Sequence, residues 1–312
     1  MRVLITGGAG FLGSHLTDLF VAKGHSVVVV DNLVTGDAAN LAHLDANPAV
    51  QFLQRDACLP MSDIAGPIDF VFHLASPASP VDFLRIPLEV LRVNSIGTEQ
   101  ALELARKHNA GFLVASTSEV YGDPKESPQR EDYWGNVNPN GIRSCYDEGK
   151  RYAEALTMAY RRQYGLNTHI VRFFNTYGPR MRLDDGRVVP NMVRQAILGE
   201  PITVYGSGSQ TRSFGYFADI IDGVYRLALS DYHDPVNLGS QEERTILEFA
   251  EAVRKAIGSN SEIVFKPATA DDPQQRRPDT SRAKAVLDWE PTTGLEHGLA
   301  LTVTHFRERL GR

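Results

Sequence analysis

Arg2-Val3-Leu4-Ile5-Thr6-Gly7-Gly8-Ala9-Gly10-Phe11-Leu12-Gly13 is the stretch whose reading decides the fold. An apolar, β-branched run gives way to a glycine-rich loop, and a helical pattern follows. Gly8, Gly10 and Gly13 satisfy G-x-G-x-x-G, and Gly7, Gly10 and Gly13 satisfy G-x-x-G-x-x-G. Between a strand and a helix, that spacing lets the chain turn tightly and bring bare backbone up to a pyrophosphate, while Gly13 lets the helix pack closely. The free N–H groups at the helix N-terminus then face the anion.

Outward from this loop the same alternation continues. Residues 3–6, 27–30, 50–53, 70–72 and 112–115 read as strands, with a further strand at 167–174. Helical patterns cover 12–23, 88–108 and 146–164. The strands are almost continuously apolar, which predicts a parallel sheet buried on both faces. The alternation predicts an α/β fold, a Rossmann doubly wound parallel sheet. Beyond about residue 175, turns such as Tyr177-Gly178-Pro179 and Gly206-Ser207-Gly208 interrupt shorter elements, and 267–278 reads as a polar loop with three prolines. The expected organisation is a dinucleotide-binding domain over 1–175 and a smaller C-terminal substrate-binding lobe over 176–312, with some elements returning to the sheet. A chain of 312 residues accommodates both.

Asp31 ends the second strand, 18 residues after Gly13. A carboxylate there accepts hydrogen bonds from ribose hydroxyls and repels a 2′-phosphate, and no arginine follows in Asn32-Leu33-Val34, so NAD is favoured over NADP. Asp56, after the third strand, reads equally well as a partner for the adenine amine or as a plain turn aspartate.

Tyr146 and Lys150 stand four apart, on one helix face. Ser144 with Asp147 looks like a capping box just ahead of them. A free tyrosine titrates near 10, so a base at neutral pH needs a downward shift of about three units, roughly 4 kcal/mol in favour of the phenolate. An adjacent Lys⁺ and the positive nicotinamide ring could supply it together. Alone, such a spacing describes an ordinary surface pair. The glycine loop and the cluster Ser116-Thr117-Ser118-Glu119 turn it into a catalytic candidate, because that cluster ends the fifth strand, where open α/β sheets bind their ligands.

Composition narrows the field. A net charge of −6, with no basic block, argues against nucleic acid. Two cysteines, Cys58 and Cys145, give neither a disulfide framework nor a metal pattern, and they suit a reducing, cytoplasmic setting. No apolar run is long enough to span a membrane, and the opening strand leaves no expectation of a secretory signal. The histidines have no ligand spacing, so no metal is expected; His73 reads as structural, and Trp134 and Trp289 as packing anchors.

With these pieces in place, the chain resembles the extended short-chain dehydrogenases/reductases that act on sugar nucleotides. Several strings resemble the UDP-glucuronate decarboxylase (UDP-xylose synthase) family in particular: His73-Leu74-Ala75-Ser76-Pro77, Ser116-Thr117-Ser118-Glu119-Val120-Tyr121-Gly122, Glu131-Asp132-Tyr133-Trp134-Gly135 and Cys145-Tyr146-Asp147-Glu148-Gly149-Lys150. Phe174-Asn175-Thr176-Tyr177-Gly178-Pro179, Asp185-Gly186-Arg187-Val188-Val189, Tyr205-Gly206-Ser207-Gly208 and Asp271-Asp272-Pro273 extend the likeness over nearly the full length, while 37–47 and 81–87 depart from the commonest family wording.

The resemblance implies a tightly bound NAD, regenerated in each turnover, in a groove that Phe11, Leu12, Asn32, Leu74 and Ala75 share with the glycines. It implies oxidation at C4 of UDP-glucuronate, decarboxylation and re-reduction to UDP-xylose. Tyr146 would be the base, assisted by Thr117 and Lys150, with Ser118, Glu119 and Arg276 handling substrate near C5 and the carboxylate. Asn175, Arg187, Tyr205 and Arg212 match contacts to the nucleotide end. A homodimer through a four-helix contact of 88–108 and 146–164 is implied as well. Against a dTDP-glucose 4,6-dehydratase stands Ser118 where an Asp-Glu pair is expected, and against a UDP-glucuronate 4-epimerase stands Glu119 itself. A sensor of NAD or nucleotide sugar would tend to lose the Tyr or the Lys, and both are present.

Overall fold

The computed structural model of the chain describes residues 1–268 and 273–312, so Asp271 and Asp272 of the Asp271-Asp272-Pro273 string lie outside the described residues. In chain order the first half holds β1 (Arg2–Thr6), α1 (Phe11–Ala22), β2 (Ser26–Asp31), β3 (Val50–Gln54), β4 (Phe70–His73), α2 (Pro80–Arg85), α3 (Pro87–Arg92), α4 (Thr98–His108), β5 (Gly111–Thr117), α5 (Ser144–Tyr164) and β6 (Thr168–Phe173). The second half continues with β7 (Thr176–Tyr177), α6 (Val188–Leu198), β8 (Ile202–Tyr205), β9 (Thr211–Ser213), β10 (Gly215–Tyr216), α7 (Phe217–Ala228) and β11 (Val236–Leu238). It ends with β12 (Glu243–Thr245), α8 (Ile246–Ile257), β13 (Ile263–Lys266), β14 (Gln275–Arg276), α9 (Ser281–Leu287) and α10 (Leu295–Leu310).

Seven strands form one parallel sheet in the order β11-β6-β5-β4-β1-β2-β3. Strand alternation explains how it is covered on both sides. Val3, Ile5, Val27 and Val29 point into a core with Leu16 and Phe20 of α1 and with Ile220 and Val224 of α7. Leu4, Val28, Val30 and Val71 point the other way, into a core with Ala101 and Leu102 of α4 and Ala153 of α5. The doubly wound α/β Rossmann sheet is therefore present. β3 departs from the expectation of two buried faces: it is one of the sheet's two edges, and Gln51 and Phe52 are exposed. A third core gathers α6, α8, α10 and β8 around Met192, Phe249 and Phe306.

Four local expectations change. The helical stretch 88–108 starts at Pro87 and is interrupted by a π segment, Val93–Gly97. There the Asn94 side chain donates to the Val90 carbonyl and Thr98 Oγ1 donates to the Asn94 carbonyl, side-chain bonds of the kind that loosen a helical ladder. The capping box on α5 does not form: Arg143 is the N-cap, Ser144 already lies inside the first turn, and Asp147 is buried. The polar loop 267–278 contains β14, which pairs in parallel with β9 and sets Arg276 beside Arg212. Trp289 is buried and its indole N–H donates to the Asp219 carbonyl at 2.8 Å, whereas Trp134 is 89% exposed and anchors no core.

Gly13 does not chiefly open room for the strand. A Cβ there would fall on the Gly7 carbonyl oxygen and come within 2.8 Å of Gly8 Cα, so α1 presses on the loop itself. Gly7 has φ +73°, and its own Cβ would lie 2.7 Å from the Ala75 backbone. Gly13→Ala should cost about 1–3 kcal/mol through overpacking and weaken dinucleotide binding at least tenfold. Thermal melting and NAD titration would check this, and an unchanged Tm with unchanged affinity would contradict it.

Candidate active site

A cleft of about 780 Å³ opens at the carboxyl ends of β1, β2, β4 and β5. Gly7, Gly10, Phe11, Leu12, Gly13, Asp31, Asn32, Asp56, Leu74, Ala75, Tyr146 and Lys150, the residues expected to hold a cofactor, all line it. Gly10 meets only the Gly7 carbonyl oxygen, so a ligand can approach its backbone closely. The Asp31 carboxylate accepts from the backbone N–H groups of Ala9 (3.0 Å) and Leu33 (2.9 Å), which fixes it at the rim of the loop. Asp56 accepts from Cys58 N–H at 2.8 Å, which ties its own turn while it borders the cleft. His73 is structural, hydrogen-bonded to Thr6 Oγ1 and the Val93 carbonyl and pushed down to about 3 by burial and then by Lys150. Bare backbone at the glycine loop and a carboxylate at the end of β2 fit NAD.

A second cleft of about 600 Å³ adjoins the first, and both reach Tyr146 and Arg187. Thr117, Ser118, Glu119, Asn175, Tyr205, Arg212 and Arg276 line it, so residues spread over 160 positions of sequence converge there. β5 ends at Thr117, whose side chain caps the following turn by accepting from Glu119 N–H at 3.2 Å. Arg212 and Arg276 are register partners on β9 and β14 and both are buried; neither is a solvated surface charge. Arg187 is paired with Asp185 at 2.5 Å, and its charge bears on the Tyr146 phenol where the two clefts meet.

The strongest electrostatic feature is Glu119. Its carboxylate lies 2.9 Å from Arg276 Nη1 and 2.5 Å from Arg143 Nη2, almost out of solvent. Burial opposes ionisation, but Arg276 and then Arg143 overcome it and hold Glu119 down to about 2. Removing one partner from a buried pair of this kind costs about 3–5 kcal/mol, because the remaining charge is stranded. Arg276 also reaches Asn175 Oδ1 at 3.4 Å, and its buried Nη2 has no hydrogen-bond partner among the described residues.

Tyr146 corrects the sequence argument. Burial, then Glu119, pushes its phenol up, while a hydrogen bond with Thr117 and the charge of Arg187 pull it back only in part. Lys150 is not the expected source of a downward shift. Its ammonium lies 5.7 Å from the Tyr146 ring and donates to the Ala115 carbonyl at 2.8 Å, and burial pushes it down to about 7. Among the chain's own groups, burial and Glu119 oppose the phenolate while Thr117 and Arg187 favour it.

Two residues escaped the sequence reading. Arg143 completes the Glu119 clamp, and Phe83 stacks on the Tyr146 ring with centroids 4.8 Å apart. Arg143 did leave a signal, since a cation at a helix N-terminus opposes the macrodipole and calls for a compensating partner. Phe83 left none, because an apolar residue in a short amphipathic turn looks like ordinary core.

Residues 4–302 match the family model described as GDP-mannose 4,6 dehydratase. The chain is 51% identical to UDP-glucuronic acid decarboxylase 1 of Arabidopsis thaliana over 310 residues, which cover 99% of this chain and 71% of that protein. It is 50% identical to UDP-glucuronic acid decarboxylase 1 of Danio rerio over 309 residues, 99% of this chain and 73% of that one. Among solved structures, the UDP-glucuronic acid 4-epimerase of Bacillus cereus in complex with UDP-glucuronic acid and NAD superposes with a TM-score of 0.91 at 28% identity, covering 99% of this chain and 100% of that chain. Among the described residues, no helix is long and apolar enough to cross a membrane.

Asp147 provides a test of the site's electrostatics. Burial, then Glu119, raises its carboxyl from 3.8 to about 7 against the pull of Arg143 and Arg276. As pH rises the unfolded chain releases this proton first, so the group costs the fold stability progressively from about pH 4 to pH 7. Asp147→Asn should therefore raise Tm above pH 7 by roughly a few degrees, with the difference vanishing near pH 4. A Tm difference that does not depend on pH would contradict this.

Proposed function

This chain belongs to the family of extended short-chain dehydrogenases/reductases that contains the UDP-glucuronic acid decarboxylases, and we propose that it converts UDP-glucuronate to UDP-xylose and CO₂. The observation that carries this reading is the Glu119 clamp, because it leaves a buried guanidinium nitrogen of Arg276 without a hydrogen-bond partner among the described residues, beside the cleft that reaches Tyr146. A carboxylate is the natural partner for such a fork.

In this reading Tyr146 takes the proton from the sugar 4-hydroxyl, and Thr117 hydrogen-bonds the same oxygen. Held along the glycine loop and Asp31, NAD would supply a hydride acceptor and donor for C4 and a positive ring that would favour the phenolate. Lys150, fixed to the Ala115 carbonyl, orients the ribose and the phenol. Oxidation at C4 makes the C6 carboxylate a β-keto acid, so the C5–C6 bond breaks, CO₂ leaves and the electron pair passes to the ketone oxygen. C5 then takes up a proton. Glu119, held down by Arg276 and Arg143, orients groups at that end of the cleft. Ser118 borders the same cleft as a substrate contact. Asn175, Arg187, Tyr205 and Arg212 receive the nucleotide diphosphate, for which buried guanidinium forks suit paired oxygens.

The cofactor stays in its groove as a resident catalyst in this reading, since each turnover returns it to its starting state. The enzyme works in the cytoplasm, with both cysteines free, and pairs as a homodimer through α3, α4 and α5. Leu88, Leu91 and Tyr152 are exposed there and support that contact.

Purified protein incubated with UDP-glucuronate and no added NAD, followed by NMR, should yield UDP-xylose and CO₂. UDP-galacturonate as product would make the enzyme an epimerase, and no turnover even with NAD added would favour a sensor. Tyr146→Phe should lower turnover by at least about 10²-fold, in the range of a lost general base, while substrate binding persists; full activity would remove Tyr146 from the role. Light scattering on the same preparation should give the mass of two chains, and a single-chain mass would exclude the dimer.

A further inference from the structure

Phe83 takes no part in the chemistry described above, yet it packs flat on the group that performs it. Its ring is inclined only 19° to that of Tyr146, with centroids 4.8 Å apart, and both rings are buried. The guanidinium carbon of Arg143 lies 5.6 Å above the Phe83 ring, and the same guanidinium holds Glu119 at 2.5 Å. One column thus runs from the Glu119 carboxylate through Arg143 and Phe83 to the phenol.

The helix that carries Phe83 is pinned by its other residues. Asp82, buried, binds Arg182 at 2.6 Å and Arg85 at 2.9 Å. Ser79, the N-cap of α2, donates its hydroxyl to the Asp185 carbonyl, on the segment that also bears Arg187. The Tyr146 ring therefore cannot tilt toward Phe83 unless α2 moves or Arg143 leaves Glu119.

We propose that Phe83 is a positioning residue for Tyr146, and that Arg143 binds Phe83 and Glu119 at once, tying phenol and carboxylate into one frame. This rests on the reading that Tyr146 exchanges the proton of the sugar 4-hydroxyl. The phenol must then act twice per turnover, taking the proton and later returning it to a sugar that has meanwhile lost CO₂. Aromatic and cation–π contacts are individually weak. Their contribution here is orientation, and misplacement of a reacting group by about 1 Å can cost 10²-fold in rate. A loosened phenol should fail most in the return step, so that 4-keto sugar escapes and reduced nicotinamide remains on the enzyme.

The experiment compares wild type, Phe83→Leu, Phe83→Tyr and Arg143→Lys with UDP-glucuronate, reading kcat, KM and the fraction of bound cofactor left reduced. Phe83→Leu should lower kcat about ten- to a hundredfold with little change in KM and should accumulate reduced cofactor, whereas Phe83→Tyr, which keeps the stack, should restore both. Arg143→Lys keeps the charge but loses the flat contact, so it should show the same accumulation, and it decides the matter if Phe83→Leu does not fold. Wild-type kcat and no accumulation in folded Phe83→Leu, or no accumulation in Arg143→Lys, would overturn the proposal. A wild-type enzyme that forms no UDP-xylose would instead overturn the functional reading beneath it.

Discussion

Glu119 is the constraint around which the site is built. A carboxylate taken out of water must be compensated, and here the compensation comes from two directions: Arg143 at the start of α5 and Arg276 on β14. β5, α5 and the C-terminal strands therefore meet at one charge. Arg276 can meet it only because β14 pairs with β9, and β9 in turn carries Arg212 into the same cleft. A guanidinium with one nitrogen on Glu119 and another without a hydrogen-bond partner among the described residues is already arranged to donate to a second carboxylate.

The same charge complicates the chemistry it serves. Glu119 pushes the Tyr146 phenol up, the wrong direction for a base, and Lys150 is too desolvated to reverse that. The proposed mechanism therefore makes the phenol's basicity depend on the cofactor's positive ring, which couples deprotonation to cofactor occupancy. In the proposed mechanism that coupling would suit a retained cofactor, since Tyr146 would become basic when a hydride acceptor is present.

Legibility in the sequence followed the range of the interactions. The glycine loop, Asp31, and the Tyr146/Lys150 spacing are local patterns, and the structure sets them around one cleft as their chemistry demands. The apolar strands gave the sheet because alternation across it is also local; β3 misled because its apolar residues do not reveal that no strand lies beyond it. The polar look of 267–278 hid β14, whose strand character comes from its partner β9 and not from its own residues. Phe83 was missed for the same reason, since its meaning lies in Tyr146, brought near by tertiary contact; Arg143 hinted at a partner only by its place at a helix N-terminus, and that partner is Glu119. Trp134 failed as a core anchor because size alone does not say which side of a loop faces water.

The central claim is that one cofactor, retained by the protein, is reduced and reoxidised within each turnover around a fixed phenol. Substrate carrying deuterium at C4 tests it most directly, turned over in ordinary water with unlabelled NAD in excess. The account predicts UDP-xylose that keeps its deuterium at C4 through every cycle, with solvent hydrogen newly introduced only at C5. Loss of the C4 label to the free cofactor pool would contradict it.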